Sequence, residues 1–106
     1  MRRIRIHAAA AEEVAEAAAW YEKERPGLGA EFEQAVEAAL DLLEEELVPL
    51  IPVSRAAGAR GVKRLLLRRF PYAVIVRADA AEVVVIAFAH TARHPGYWRE
   101  RLKSAV

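Results

Sequence analysis

The hydrophobic period changes along this chain, and each change marks an element. Residues 2–7, RRIRIH, alternate. Ile4 and Ile6 fall on one side and Arg3, Arg5 and His7 on the other, as in a short strand with one buried face. From about Ala9 to Glu24 the period becomes helical. Val14, Ala17, Ala18 and Tyr21 share a face, and Glu12, Glu13 and Glu16 sit near the start, where the helix dipole favours acids. The alanines between Ala8 and Ala19 add helix propensity more than core volume. RPGLG, residues 25–29, stops this helix. A second helix is predicted from about Ala30 to Leu47. Its stripe is Phe32, Val36, Ala39, Leu40, Leu43 and Leu47, with Glu33, Glu37, Glu44 and Glu45 on the other side. So short a link predicts an antiparallel helical hairpin.

Residues 48–61, VPLIPVSRAAGARG, read as a loop, because Pro49 and Pro52 prevent helix continuation and Gly58 and Gly61 loosen the chain. Residues 62–70, VKRLLLRRF, then read as a strand. Lys63, Leu65, Leu67 and Arg69 take one face, and Val62, Arg64, Leu66, Arg68 and Phe70 the other, up to the interruption at Pro71. YAVIVR (72–77) is a buried strand, ADAAE (78–82) a turn, and VVVIAFA (83–89) the most buried strand. The last two form a hairpin, and the strand from Val62 pairs with its neighbour at Tyr72. Gly96 to Lys103 makes one or two helical turns. The expectation is one α+β domain over 1–106: an N-terminal strand, a helical hairpin packed on one face of a small, mostly antiparallel four-stranded sheet (β-α-α-β-β-β), and a short C-terminal helix. The opposite sheet face is expected to carry arginines.

Charge sharpens this picture. The net charge of +1 conceals an asymmetry: residues 1–50 hold five basic and twelve acidic side chains, and residues 51–106 eleven basic and three acidic. Such a division points to a polyanion-facing or acid-facing surface in the second half. The chain has no cysteine, which removes disulfides, thiolate zinc sites and cysteine nucleophiles and fits a reducing cytoplasm. No apolar run approaches the ~20 residues of a membrane span. The basic N-terminus has no apolar segment behind it, so no secretory signal is expected.

Most chemistries fail on residue type and position. His90 and His94 are four apart, but Pro95 argues against a regular helix there and only His7 remains as a third ligand, so no metal or cofactor is expected. Ser54 and Ser104 lie in a loop and at the terminus, outside any nucleophile elbow. GLG (27–29) and GARG (58–61) match neither a P-loop nor a dinucleotide fingerprint. The second half has only Asp79, Glu82 and Glu100 as acids, too few for a carboxylate pair on the sheet. What remains is a basic, aromatic surface: Lys63, Arg64, Arg68, Arg69, Arg93, Arg99, Arg101 and Lys103, with Tyr72, Tyr97 and Trp98. Arginines among aromatics suit phosphates and stacked bases, or an acidic protein. Tyr97 and Trp98 have a plainer use, pinning the C-terminal turn onto the sheet.

Three blocks carry a resemblance: AAAWYEKERPGLGAEFEQAV (17–36), RRFPYAVIVR (68–77) and VVVIAFAHTARHPGYWRERL (83–102). In register over nearly the whole chain, they resemble the RelE/ParE superfamily of bacterial type II toxin–antitoxin toxins, of the ParE-like or plasmid-stabilisation type. The resemblance implies the same α+β domain and a toxin silenced by a cognate antitoxin. It offers two mechanisms. RelE-like members cleave mRNA on the ribosome without a metal; ParE-like members poison DNA gyrase.

For the ribonuclease, the resemblance implies catalytic roles for Arg64, Arg68, His90, Arg93 and Tyr97. Arg64 and Arg68 match basic strand positions and Tyr97 the C-terminal tyrosine. A strand lysine falls on Leu66, and two arginines fall on Ala73 and Thr91. Losing such groups removes stabilisation of phosphate charge, for which His90 is the substitute acid or base, as the resemblance implies from other ribonuclease members that use a C-terminal histidine. These departures favour the ParE-like expectation of a gyrase inhibitor, with the mRNA endonuclease and a non-toxic binding module as alternatives. Partner binding is expected at Lys63, Arg64, Arg68, Arg69, Arg93, Tyr97, Trp98, Arg99 and Arg101. The antitoxin is expected on the basic sheet face or in the groove beside the helices, in a salt-sensitive complex.

Overall fold

The computed structural model describes residues 2–46, 50–52, 61–94 and 96–103. Elements follow in the order β1 (Arg3–Ile6), α1 (Ala8–Glu24), α2 (Leu28–Glu44), β2 (Ile51–Pro52), β3 (Val62–Leu66), β4 (Tyr72–Ala78), β5 (Glu82–His90) and a 3-10 turn (Arg99–Leu102). The four strands expected from the sequence are all present. Ile51–Pro52, inside the segment read as a loop, adds a two-residue strand beside β3. The sheet order is β1-β5-β4-β3-β2, with β1 parallel to β5 and the other pairs antiparallel.

The helical hairpin forms where RPGLG breaks the chain. Gly27 takes φ +90°, a left-handed conformation that glycine adopts without strain. The Glu22 carboxylate accepts the N–H groups of Gly27 and Gly29 at 3.0–3.1 Å, satisfying donors at the start of α2. α2 therefore begins at Leu28, two residues ahead of the expected start. Its buried stripe is Phe32, Val36, Ala39 and Leu43, as its period predicts; Leu47 lies outside the described residues. At the other end of α2, Arg2 is buried. Its Nε and Nη2 donate to the Leu43 carbonyl at 3.1 and 2.7 Å, closing the helix C-terminus with a cation where the dipole wants one.

Two cores result, one on each side of the sheet. The helix-side core joins Ala10, Ala17, Phe32, Leu43, Val74, Val76, Val83, Val85 and Phe88. The second holds Val62, Ala73, Ile75, Val84, Ile86, Ala87, Ala89 and Trp98. A bulge in β5 explains why Ile86 and Ala87 lie in the same core: Ile75 pairs with Ala87 and Val76 with Val85, leaving Ile86 extra. Trp98 is 3% exposed, so the face expected to carry arginines is partly roofed by the C-terminal segment.

The expected strand over 62–70 stops at Leu66. Arg69 has φ +71°, and the Leu67 N–H donates to the Tyr72 carbonyl at 2.9 Å, so the chain folds into a tight turn. Leu67 and Phe70, placed on opposite faces by alternation, both enter the helix-side core. Phe70 meets Tyr21 and Phe32 edge-on at ring distances of 5.0 and 5.2 Å.

Candidate functional site

β5 outruns its partner. β1 ends at Ile6, opposite Val85, and the edge of β5 beyond it needs hydrogen-bond partners. Side chains supply them. The Phe88 N–H donates to Glu13 Oε1 at 3.0 Å, and the Ile86 carbonyl accepts from Arg101 Nη1 at 3.1 Å. Glu13 also takes both Arg101 Nη groups at 2.9 and 3.0 Å and the Tyr97 hydroxyl at 2.5 Å. Its side chain is 10% exposed, and that of Arg101 is 18%. One carboxylate on α1 thus fastens the strand edge and the C-terminal segment together. Arg93 lies 3.8 Å from the Tyr97 ring centroid, and its Nη1 is 3.8 Å from Glu13.

This setting acts on the tyrosine. Burial first, then its hydrogen bond to the Glu13 carboxylate, pushes the Tyr97 hydroxyl far above its ordinary range. Its hydroxyl is a donor already in use. The bond to Glu13 likewise raises Arg101.

Beside this network a cleft of about 310 Å³ opens between α1 and the end of the sheet, lined by Glu13, Glu16, Trp20, Tyr72, His90 and Arg93. His90 stands edge-on to Tyr72 at 5.2 Å, and its Nδ1 accepts the Ala92 N–H at 3.0 Å. That bond takes up the Nδ1 lone pair. Burial raises the Tyr72 hydroxyl.

A second cleft, of about 260 Å³, runs between α2 and β3. Ala35, Ala38, Leu42, Leu65 and Leu66 give it an apolar lining, and Arg68 and Arg69 stand on its rim. Leu42 and Leu66 are 39% and 47% exposed and stand together in this cleft. Arg69 Nη2 donates to Glu31 at 2.6 Å and holds that carboxyl below its ordinary range. Beyond the two residues paired with β2, Arg64 and Lys63, no described strand covers the outer edge of β3.

The residues singled out from the sequence are divided among these places. His90 and Arg93 line the α1 cleft, Arg68 and Arg69 the α2 groove. Arg64 lies on the opposite face of the sheet, exposed, and Lys63 is exposed on the helix side. Tyr97 and Arg101 belong to the Glu13 network, Trp98 is core, and Arg99 is exposed with its Nε 3.4 Å from the Gly96 carbonyl. Ser54, Pro95 and Ser104 lie outside the described residues. His7 accepts the Ala9 N–H and caps α1, away from His90 and His94 in its role. Sequence reasoning took Glu13 for a dipole-favoured acid. The signal that marks it is spacing: Ala10, Glu13 and Ala17 share one helical face, so an acid stands beside the buried stripe.

Comparison with known proteins agrees with this architecture. Residues 4–95 match the family model described as the ParE toxin of type II toxin–antitoxin systems, parDE. A solved structure titled "Chromosomal ParDE TA system from P. aeruginosa" includes a chain that superposes with a TM-score of 0.71 at 17% identity, covering 85% of this chain and 96% of that one. At that identity the likeness is one of fold. No curated protein sequence matches. None of the described helices is long and apolar enough to cross a membrane.

Proposed function

Since the chain belongs to the ParE toxin family of type II toxin–antitoxin systems, we propose that it inhibits DNA gyrase in the cytoplasm by binding, and that a cognate antitoxin silences it. The observation that carries the choice of mechanism is the state of Tyr97. A ribonuclease would need this hydroxyl free, yet burial raises its pKa and its bond to Glu13 occupies it. His90 has its acceptor nitrogen engaged, Arg64 lies on the opposite face of the sheet, and Arg68 lines the α2 groove, not the cleft of His90 and Arg93. A reading that asks for a surface rather than an acid–base set is better supported.

The α2–β3 groove suits the antitoxin. Its exposed leucines ask for apolar side chains, Arg68 for an acid, and the part of the β3 edge that no described strand pairs, beyond Lys63 and Arg64, for a strand. The groove beside the helices is thus favoured over the sheet face.

The deciding experiment is inducible expression in bacteria with pulse labelling of DNA and protein synthesis. Early arrest of DNA synthesis with translation intact is expected, followed by gyrase-dependent DNA breaks with the purified protein. An early collapse of translation would refute the gyrase reading in favour of the mRNA endonuclease. Undisturbed growth would leave the non-toxic binding module.

A further inference from the structure

The sheet register assembles a row of arginines that belongs to neither cleft. Arg5 of β1 is opposite Val84 of β5, Val84 is opposite Arg77 of β4, and Arg77 is opposite Val62 of β3. Val62 and Val84 both belong to the core on the side away from the helices. Arg5 and Arg77 therefore share that outer face, joined by Arg3 and Arg64 two residues along their strands. Arg3, Arg64 and Arg77 are exposed, and among the described residues their side chains make no ion pair or hydrogen bond. The one acid in the row, Glu82, is taken by Arg5 at 3.2 Å. The Asp79 carboxylate nearby accepts its own turn's N–H groups, from Ala81 and Glu82.

The opposite layer has the other sign. From Ala8 to Glu44 the helical hairpin, link included, carries ten acidic and two basic residues. The acidic helices thus form one layer, and the arginine row stands on the sheet face turned away from it. A polyanion is repelled by one and drawn to the other. From Arg3 and Arg5 to Arg64 the row spans four strands, three steps or roughly 14 Å, the rise of about four base pairs.

We propose that this arginine row is a docking surface for the phosphate backbone of duplex DNA. The choice of a duplex over a single strand follows from the aromatics. Single-strand binders stack bases on exposed rings. Of the aromatics packed on this face, Trp98 is buried at 3% exposure and Tyr97 is half-buried with the Arg93 guanidinium 3.8 Å over its ring, and the exposed Trp20 is on the acidic helical layer. The face offers charge without a stacking platform, which suits backbone contact that ignores sequence. This surface does not depend on gyrase being the target.

The test is fluorescence anisotropy of a labelled short DNA duplex with the purified full chain. With Arg5 balanced by Glu82, three arginines contact phosphate, so log K against log salt should fall with a slope of about −3, roughly fortyfold between about 50 and 200 mM. Arg64→Glu with Arg77→Glu should bring the slope to about −1 and weaken binding at least tenfold at low salt, with the unfolding temperature unchanged. If that pair disturbs folding, Arg64→Gln with Arg77→Gln gives the same reduced slope. Arg68→Glu, on the groove rim, should leave duplex binding intact. Absence of binding at about 50 mM salt would overturn the proposal. So would equal affinity in the double variant, or single-stranded RNA displacing the duplex at equal nucleotide concentration.

Discussion

Glu13→Gln tests the network that holds the C-terminal segment. The carboxylate accepts four hydrogen bonds, from Phe88, Tyr97 and both Nη groups of Arg101. Gln fits the space and can still accept from Phe88, but it turns an NH2 group toward Arg101. That leaves a guanidinium, 18% exposed, without its counter-charge. Removing one partner of a buried pair costs 3–5 kcal/mol; the residual exposure of both side chains puts this case at about 3 kcal/mol. At about 4 °C or more per kcal/mol for a domain near this size, the melting temperature should fall by about 10–15 °C. Thermal unfolding by circular dichroism measures it. A double-mutant cycle with Arg101→Met should return a coupling of at least about 1 kcal/mol. A drop of less than about 3 °C with no coupling would refute the argument that this carboxylate fastens α1, β5 and the C-terminal turn.

Other outcomes follow from the same geometry. Arg2→Met removes both guanidinium donors from the Leu43 carbonyl, which then keeps the Glu46 N–H at 3.3 Å, and should cost about 1–2 kcal/mol in urea unfolding, largely independent of salt because the site is buried. Gly29→Ala should cost about 1–3 kcal/mol, because a Cβ there would lie 2.6 Å from the Ala18 carbonyl, a backbone atom that cannot swing away. In an ultraviolet pH titration Tyr97 should stay protonated through the range where ordinary tyrosines ionise, and Glu13→Gln should lower it. Because its folded value is raised, the stability it adds is complete below about pH 10 and is lost as pH rises further. Glu31 runs the other way: its depressed value means stability present above its ordinary range and lost as pH falls through the folded value, and Arg69→Ala should move its NMR titration upward.

The parts legible in the sequence are those whose cause is local. The α2 stripe repeats over several turns, and Gly27 announces its own turn, so the hairpin could be read directly. The end of β3 could not. Leu67 and Phe70 continue a plausible alternation, and the residue that breaks it, Arg69, carries no mark of a left-handed conformation. The acceptors that bury Arg2 are 41 and 77 residues away, and nothing near it distinguishes it from Arg3 or Arg5. The same holds at the site. Tyr97, Arg93 and Arg101 stand out by residue type, but Glu13, which organises them, meets them across more than 75 residues of chain. Trp98 could equally stack on a ligand or fill a core. The β5 bulge, which puts Ile86 and Ala87 on the same face, has no signature in an unbroken apolar run.

The parallel pairing of the first strand with the last bears on the timing of synthesis. Arg5 waits for Glu82, and Glu13 for Arg101, across 77 and 88 residues. At 5–20 residues per second, the ribosome takes about 4–15 s to supply the partner of β1 after β1 itself. Through that interval α1 and α2 have no β5 to cover, and the edge that Glu13 later occupies does not exist. Contacts of such separation also slow folding once the strand is available. A binding partner present during those seconds meets a hairpin with its apolar stripe open, not a finished sheet.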